Sequence, residues 1–428
     1  MYMEFEHGGN WADYEEICGE EILDFSANVS PFGLPENVRE AASASFKNAY
    51  RYPDPECRDL RNAIADKYDL CSEHVVCGNG AADLIYRIAY AVRPRKAIVP
   101  APDFSEYEKA LKQVGCEIEY WEWMRGDCTV EKWLYKGRQV LTTECERQVL
   151  TTECDKIQNG VVPVNDLNYV PESDSVEGGT ADLSDDASKD DRPRLISETD
   201  IGVGRIPYLS DDTLTEDLDM IILSNPNNPS GCLYMPTFLR ALVAECVQKQ
   251  ILLVVDECFM DFVDSACTYS LLEFVADCRN LIVIRAFTKF YGMAGLRLGW
   301  CATSNAELIA EMKKAGPPWS VSIPAQAAGM ATLSENSYAH KLRGYVSAER
   351  QRLQFNLRRL GLQVIPGAAN YILFYSERTD LARLLLERGI AIRDCSNYVG
   401  LGPGWYRVAV RLREENQRLL REMAFVLR

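Results

Sequence analysis

The sequence predicts an α/β fold: a large domain on a mostly parallel sheet, followed by a smaller α+β domain. Three observations carry this. Apolar runs rich in Val and Ile recur without polar alternation, at 220–225 (MIILSN), 251–257 (ILLVVDE) and 281–287 (LIVIRAF). That is the pattern of strands covered on both faces. Amphipathic stretches at 81–92, 104–114 and 236–249 lie among these runs, and strands alternating with helices build parallel sheets. From about residue 305 the pattern changes. The N-terminal part of the sheet is expected from HVVCGN (74–79), KAIVPAP (96–102) and CEIEYWEW (116–123). The later part predicts a long helix over 325–358, a strand at YILFY (371–375), a helix over 378–389, strands at IAIRD (390–394) and YRVAVR (406–411), and a charged terminal helix.

Composition bounds the function. A chain of 428 residues with 47% apolar and 25% charged residues can bury a sizeable core. Its 46 Lys and Arg against 63 Asp and Glu leave a net charge of −17, which argues against nucleic acid and anionic membrane surfaces as partners. No apolar run approaches the length of a membrane span. The polar, acidic first residues do not read as a secretion signal. The 15 Cys are scattered and contain no C-x-x-C pair, so reduced thiols and a cytoplasmic location are expected. His7, His74 and His340 lie far apart, so a His-rich metal site is not expected, which leaves Cys or carboxylate ligands open.

One region breaks the alternation. Across 125–209 the periodicity collapses, the octamer RQVLTTEC occurs at 138–145 and again at 147–154, and 170–191 is acidic without an aromatic residue. Such a stretch buries little apolar surface, which predicts a flexible surface insertion carrying a local duplication. Its place between Trp123 and the strand preceding Asn228 also allows it to lie near a site mouth and influence substrate choice.

The chemistry-bearing residues gather at strand ends. In RAFTKFYGMAGLRLGW (285–300), Lys289 follows an apolar strand, and a Gly-rich turn and Arg297 come within eight residues. A lysine so placed could bond to an aldehyde cofactor, and the arginine could receive a phosphate. Alone, Lys289 would be an ordinary loop lysine. Asp256 ends another strand, where a carboxylate could pair with a pyridinium nitrogen or, more commonly, cap the next helix. SNPNNPSG (224–231) presents Asn227 and Asn228 on a turn fixed by two prolines. GNGAADLI (78–85) runs from a strand into a helix and suits a phosphate at the helix N-terminus, although most such turns are only turns. Phe104 in APDFSEY follows a strand and could stack on a flat ring or simply fill the core. Ligands of open α/β sheets sit at the carboxyl ends of strands, so the set reads more naturally as one site than as coincidence.

These motifs, with HGGN (7–10), DFSANVSPFG (24–33), RYPDPECRDLRNAIA (51–65) and IRDCSNYVGLGPGWYRVAVR (392–411), resemble the fold-type-I pyridoxal-phosphate enzymes of the aspartate-aminotransferase superfamily. Within it they are most similar to the branch shared by histidinol-phosphate aminotransferase and threonine-phosphate decarboxylase of cobalamin biosynthesis. The resemblance spans roughly 1–124 and 210–428. It implies a seven-stranded, mostly parallel large domain over 46–304, interrupted by the insertion, and a small domain of 305–428 joined by the N-terminal segment 1–45. It implies pyridoxal 5'-phosphate bound to Lys289, with Asp256 at the ring nitrogen, Phe104 on the ring and Asn228 at the phenolic oxygen. Ala81, Ala82, Thr288 and Arg297 would hold the phosphate, reached by Tyr52 from a second subunit of a homodimer. Arg407 would take the substrate carboxylate and Arg393 the substrate phosphate, with Asn28 and His7 at the entrance.

Two positions depart from relatives. Phe259 stands where aminotransferases of this branch usually carry Tyr, which the decarboxylase pattern tolerates, and Ala286 stands where many relatives place a phosphate-binding Ser. One neutral hydrogen bond is worth about 1 kcal/mol, so Ala286 would weaken cofactor binding without abolishing it. The resemblance thus implies decarboxylation of L-threonine O-3-phosphate, with transamination of histidinol phosphate or a related amino acid as the alternative. A non-catalytic chain using the insertion to bind a partner is a further alternative, against which the intact Lys289, Asp256 and Arg407 count.

Overall fold

The computed structural model describes residues 8–18, 22–123, 214, 215 and 217–428. The 125–209 insertion with its repeat, and His7, lie outside the described residues. All the described residues belong to one compact unit.

Seven strands form the main sheet: β2 (Val75–Gly78), β3 (Lys96–Ala101), β4 (Glu117–Glu122), β5 (Met220–Ser224), β6 (Leu252–Asp256), β7 (Leu281–Ala286) and β8 (Gly299–Ala302). Their order is β2-β8-β7-β6-β5-β3-β4. β4, β3, β5, β6 and β7 pair in parallel, while β8 runs antiparallel to β2 and β7. Every residue of β5, β6 and β7 is buried, which is why these runs lack polar alternation. β4 forms the partly exposed edge and carries Glu at both ends.

Strand order decides where the functional ends converge. The chain passes from β3 outward to β4, then returns to place β5 on the other side of β3. This reversal opens a crevice beyond the carboxyl ends of β3 and β5, the usual ligand position in an open α/β sheet. The carboxyl ends of β6 and β7 flank it, so Asp103, Asn228, Asp256 and Lys289 follow strands that point to one edge.

A second sheet has the order β12-β13-β10-β9, with antiparallel pairing, and comprises β9 (Gln363–Val364), β10 (Tyr371–Tyr375), β12 (Arg393–Asp394) and β13 (Trp405–Ala409). β1 (Leu23–Asp24) pairs in parallel with β11 (Ile390–Ala391), which brings the N-terminal segment beside this sheet. No described helix is long and apolar enough to cross a membrane.

Three details differ from the sequence reading. The stretch 325–358 is two helices, Ile323–Thr332 and Asn336–Arg359. At the break, the Thr332 hydroxyl donates to the Gly329 carbonyl (2.7 Å) and the Ser334 hydroxyl to that of Ala331 (3.0 Å). These bonds engage carbonyls that a continuing helix would need. The run 390–394 divides between two sheets as β11 and β12. β8 lies within a segment that reads as a Gly-rich turn. Gly299 is needed there because a Cβ would come within 2.7 Å of the Ala81 nitrogen.

A buried ion pair ties β6 to β7. Arg285 donates to Glu257 (2.8 Å), Asp261 (3.0 Å) and the Ser270 hydroxyl (3.0 Å). Glu257 also accepts from Ser270 Oγ (2.7 Å) and the Leu271 N–H (2.7 Å), so the residue beside Asp256 is fully engaged. Removing one partner of a buried pair leaves an uncompensated charge. Arg285→Met is expected to lower unfolding stability by about 3–5 kcal/mol, and Arg285→Met with Glu257→Gln to recover most of it; urea midpoints would show both.

Candidate active site

A cavity of about 520 Å³ lies at the carboxyl edge of the main sheet. Lys289, Asp256, Asn228, Phe104 and Thr288 line it from the main sheet, with Ala81, Ala82 and Arg297 at one end and Asn28, Arg393 and Arg407 at the other. Residues far apart in sequence are therefore brought together. Tyr52 is not among the lining residues; it is 76% exposed and stacks on Trp319 with ring centroids 4.7 Å apart.

The Ala81 end is built from close backbone approach. Gly80 opens the helix Gly80–Val92 with φ +81°, and a Cβ there would lie 2.7 Å from Arg297 Nη2. The first N–H groups of this helix have no intrahelical acceptor, and its dipole favours an anion. Asp83 accepts from the Asn79 N–H (2.8 Å) and pairs with the buried Arg87 (2.9 Å), fixing the helix start.

Asp256 is buried at the end of β6. Its Oδ2 accepts from the Tyr107 hydroxyl (2.7 Å) and its Oδ1 from the Cys258 N–H (2.9 Å). Burial pushes its carboxyl up from the ordinary value, and the donors from Cys258 and Tyr107 pull against that. Asp103, following β3, accepts from the Phe104 N–H (2.8 Å), the Ser224 N–H (3.1 Å) and the Ser224 hydroxyl. Burial still carries it up to about 8. Ser224 Oγ in turn accepts from the Asn228 N–H (3.0 Å), and Asn227 Nδ2 donates to the Pro102 carbonyl (3.1 Å). The ends of β3 and β5 are thereby joined.

Lys289 lies in the short helix Phe287–Phe290 directly after β7. Burial, and then the positive charge of Arg407, push its ammonium down to about 8. A smaller contribution of the same sign comes from Arg297, while Cys258 and Asp256 oppose it. Its backbone carbonyl accepts from the Ser30 N–H (2.9 Å), joining the Asn28 loop to the lysine turn.

The opposite end is strongly cationic. Arg393 in β12 and Arg407 in β13 are direct cross-strand partners, and both are buried. Arg407 donates to Asn228 Oδ1 and to the Ser26 carbonyl (3.4 Å), and lies 5.2 Å from the Tyr371 ring centroid. In its hydrogen-bonding orientation, the Asn28 amide oxygen accepts from Arg407 Nε (3.3 Å) and Nη1 (3.2 Å). Arg393 donates to Asn397 Oδ1 (2.8 Å) and lies 5.5 Å from the Tyr398 ring centroid. Among the described residues no carboxylate pairs with Arg297 or Arg407.

Comparison with known proteins fits this arrangement. A model of the family described as Aminotransferase class I and II matches residues 20–156 and 209–423. The chain belongs to this family. It is a fold-type-I enzyme, and its cofactor is pyridoxal 5'-phosphate. Threonine-phosphate decarboxylase of Salmonella typhimurium is 30% identical over 427 residues, covering 98% of this chain and 96% of that protein. Histidinol-phosphate aminotransferase 2 of Archaeoglobus fulgidus is 26% identical over 409 residues, covering 95% and 93%. In fold, the chain is similar to histidinol-phosphate aminotransferase from Sinorhizobium meliloti, solved in complex with pyridoxal 5'-phosphate, with a TM-score of 0.68, 19% identity and coverage of 99% of this chain and 95% of that one.

The cavity of this family member fits that cofactor. The space over Gly80 that a Cβ would fill, the helix N–H groups and the uncompensated Arg297 suit a phosphate. The buried carboxylate and amine lie along the same cavity.

Several residues the sequence reading did not single out share the site. Tyr107 stands in the first turn of the helix Ser105–Gln113, which Phe104 precedes as N-cap, and its hydroxyl reaches Asp256. Cys258, Ser224 and Tyr398 line the cavity, and Asp103 lies behind it. Their places in the site depend on contacts between separate strands, which no local pattern marks.

The depressed Lys289 amine has a measurable consequence. Only the neutral amine attacks an aldehyde, so it becomes competent above its pKa rather than below it. Capture of pyridoxal 5'-phosphate by the cofactor-free chain should quicken as pH rises and level off above about 8. A rise continuing towards the ordinary lysine value near ~10.4 would contradict the burial argument; stopped-flow absorbance across pH decides it.

Proposed function

We propose that this chain decarboxylates L-threonine O-3-phosphate to (R)-1-aminopropan-2-yl phosphate and CO2, a reaction of cobalamin biosynthesis. The observation that carries the substrate class is the cross-strand pair Arg393–Arg407. Both guanidinium groups line the cavity, so a substrate with two anionic groups, a carboxylate and a phosphate, meets one cation for each. The 30% identity to threonine-phosphate decarboxylase over nearly the whole chain supports the same reading. Phe259, packed edge-on against Tyr371 with ring centroids 4.9 Å apart, leaves that position without a hydroxyl, as the decarboxylase pattern tolerates.

In this reading the Ala81 and Ala82 N–H groups, Thr288 and Arg297 hold the cofactor phosphate. Phe104 packs on the ring, Asp256 pairs with the ring nitrogen, and the Asn228 amide donates to the phenolic oxygen. When bound, pyridoxal 5'-phosphate supplies an electron sink for the bond broken at the substrate α-carbon. Arg407, held by Asn28, binds and orients the carboxylate, while Arg393 holds the phosphate end. Orientation decides which bond stands where its electrons can be withdrawn, so these arginines govern the outcome. The carboxyl group leaves as CO2, its bonding pair stays on the α-carbon, and Lys289 Nζ returns a proton there.

Transamination of histidinol phosphate or a related amino acid is the second reading. It is favoured by the near-full-length similarity to histidinol-phosphate aminotransferase and by the fact that the same residues serve both reactions.

Tyr52 supports a homodimer with shared sites. It is exposed beside Trp319, which is 46% exposed, and it does not line the cavity of its own chain, as expected of a residue that completes a second copy's phosphate site. Sedimentation at micromolar concentration should give a dimer, and Tyr52→Ala with Trp319→Ala should shift it towards monomer.

Purified protein with pyridoxal 5'-phosphate and L-threonine O-3-phosphate should release CO2 and aminopropanol phosphate without a keto acid, and Lys289→Ala should abolish this. Glutamate formation dependent on 2-oxoglutarate would instead assign the chain to the aminotransferases.

A further inference from the structure

The Tyr107 hydroxyl joins the helix after β3 to the end of β6 through Asp256. Tyr107 is fully buried, and its hydroxyl points across the strand ends to Asp256 Oδ2 at 2.7 Å. The other carboxylate oxygen takes the Cys258 N–H at 2.9 Å. The Cys258 thiol adds a weaker contact, and the two oxygens keep further acceptor capacity towards the cavity. Phe104 is the N-cap of the helix Ser105–Gln113 that carries Tyr107, and the two rings meet edge to face, with centroids 5.6 Å apart and planes at 86°. The start of this helix therefore carries both the aromatic ring that lines the cavity and the donor that fixes the carboxylate.

We infer that Tyr107 is a positioning residue that acts on the cofactor ring nitrogen through Asp256, holding that carboxylate in its charged form and in a fixed plane. Burial works against a charged Asp256, and the Asp256 charge adds to the burial that raises the Asp103 carboxyl beside it. A hydroxyl can stabilise the charge because it donates to the carboxylate. Burial and the carboxylates of Asp256 and Asp103 push the Tyr107 phenol well above its ordinary value, so it remains a donor at any working pH. The Cys258 thiol, kept protonated by burial and Asp256, also donates to this carboxylate, so the Tyr107 hydroxyl adds a stronger oxygen donor to a weaker sulfur one. The inference rests on the assignment of Asp256 to the ring nitrogen.

The test compares two ligands that differ at one atom: pyridoxal 5'-phosphate and its analogue with carbon in place of the ring nitrogen. Binding to the cofactor-free full chain is measured by equilibrium dialysis, with no substrate present. The wild type should prefer the natural cofactor. Tyr107→Phe should weaken the natural cofactor about tenfold, the effect of one hydrogen bond to a charged acceptor, and leave the analogue unchanged. In an Asp256→Asn background the same substitution should change neither affinity. Equal weakening of both ligands would mean that the hydroxyl only supports packing, and no weakening of either would mean that it does nothing; each overturns the inference. A wild type without preference between the ligands would remove the Asp256 assignment and the inference with it. Because no substrate is used, the result is independent of whether the reaction is decarboxylation or transamination.

Discussion

Holding a carboxylate away from water at the end of β6 is the demand around which this site is organised. Asp256 is buried, and an unpartnered buried carboxylate tends to take up a proton. The protein answers with donors from two directions: the Cys258 N–H from the turn after β6 and the Tyr107 hydroxyl from the helix after β3. Both sources depend on β3, β5 and β6 lying side by side in register. Glu257, next in the chain, is engaged by Arg285 and Ser270, so the turn presenting Asp256 is anchored to β7.

The same burial that raises Asp256 depresses Lys289, which makes the two effects one physical fact seen from opposite charges. Arg407 adds to the depression from the other side of the cavity. The amine is thus available near neutral pH, while the guanidinium groups of Arg297 and Arg407, which pair with no carboxylate among the described residues, leave the cavity cationic. An anionic cofactor is the complement of such a cavity.

Much of the fold was legible because buried parallel strands leave an unmistakable trace. β5, β6 and β7 announce themselves as unbroken Val and Ile runs, and the functional residues stand at their ends. β8 was not legible: it is four residues long, and Gly299 reads as part of a turn until the approach of Ala81 shows what the glycine is for. The break between the helices Ile323–Thr332 and Asn336–Arg359 was hidden as well, since Thr332 and Ser334 end a helix through side-chain bonds that periodicity does not register. Likewise 390–394 has the composition of one strand, but two different neighbours claim its halves.

The sequence by itself determined the kind of chemistry: an amine, a carboxylate, an amide and a phosphate cradle, each at the end of an apolar strand, in an order that resembles one family. Those features are local, set by residue type and by the few residues before and after. Tertiary structure alone decided how the charges meet. That Arg393 faces Arg407 follows from the register of an antiparallel pair, and that Tyr107 reaches Asp256, 149 residues away, follows from strand order in the main sheet. Neither distance is encoded by spacing along the chain, because a sheet assembles its neighbours by hydrogen-bond pairing rather than by sequence proximity.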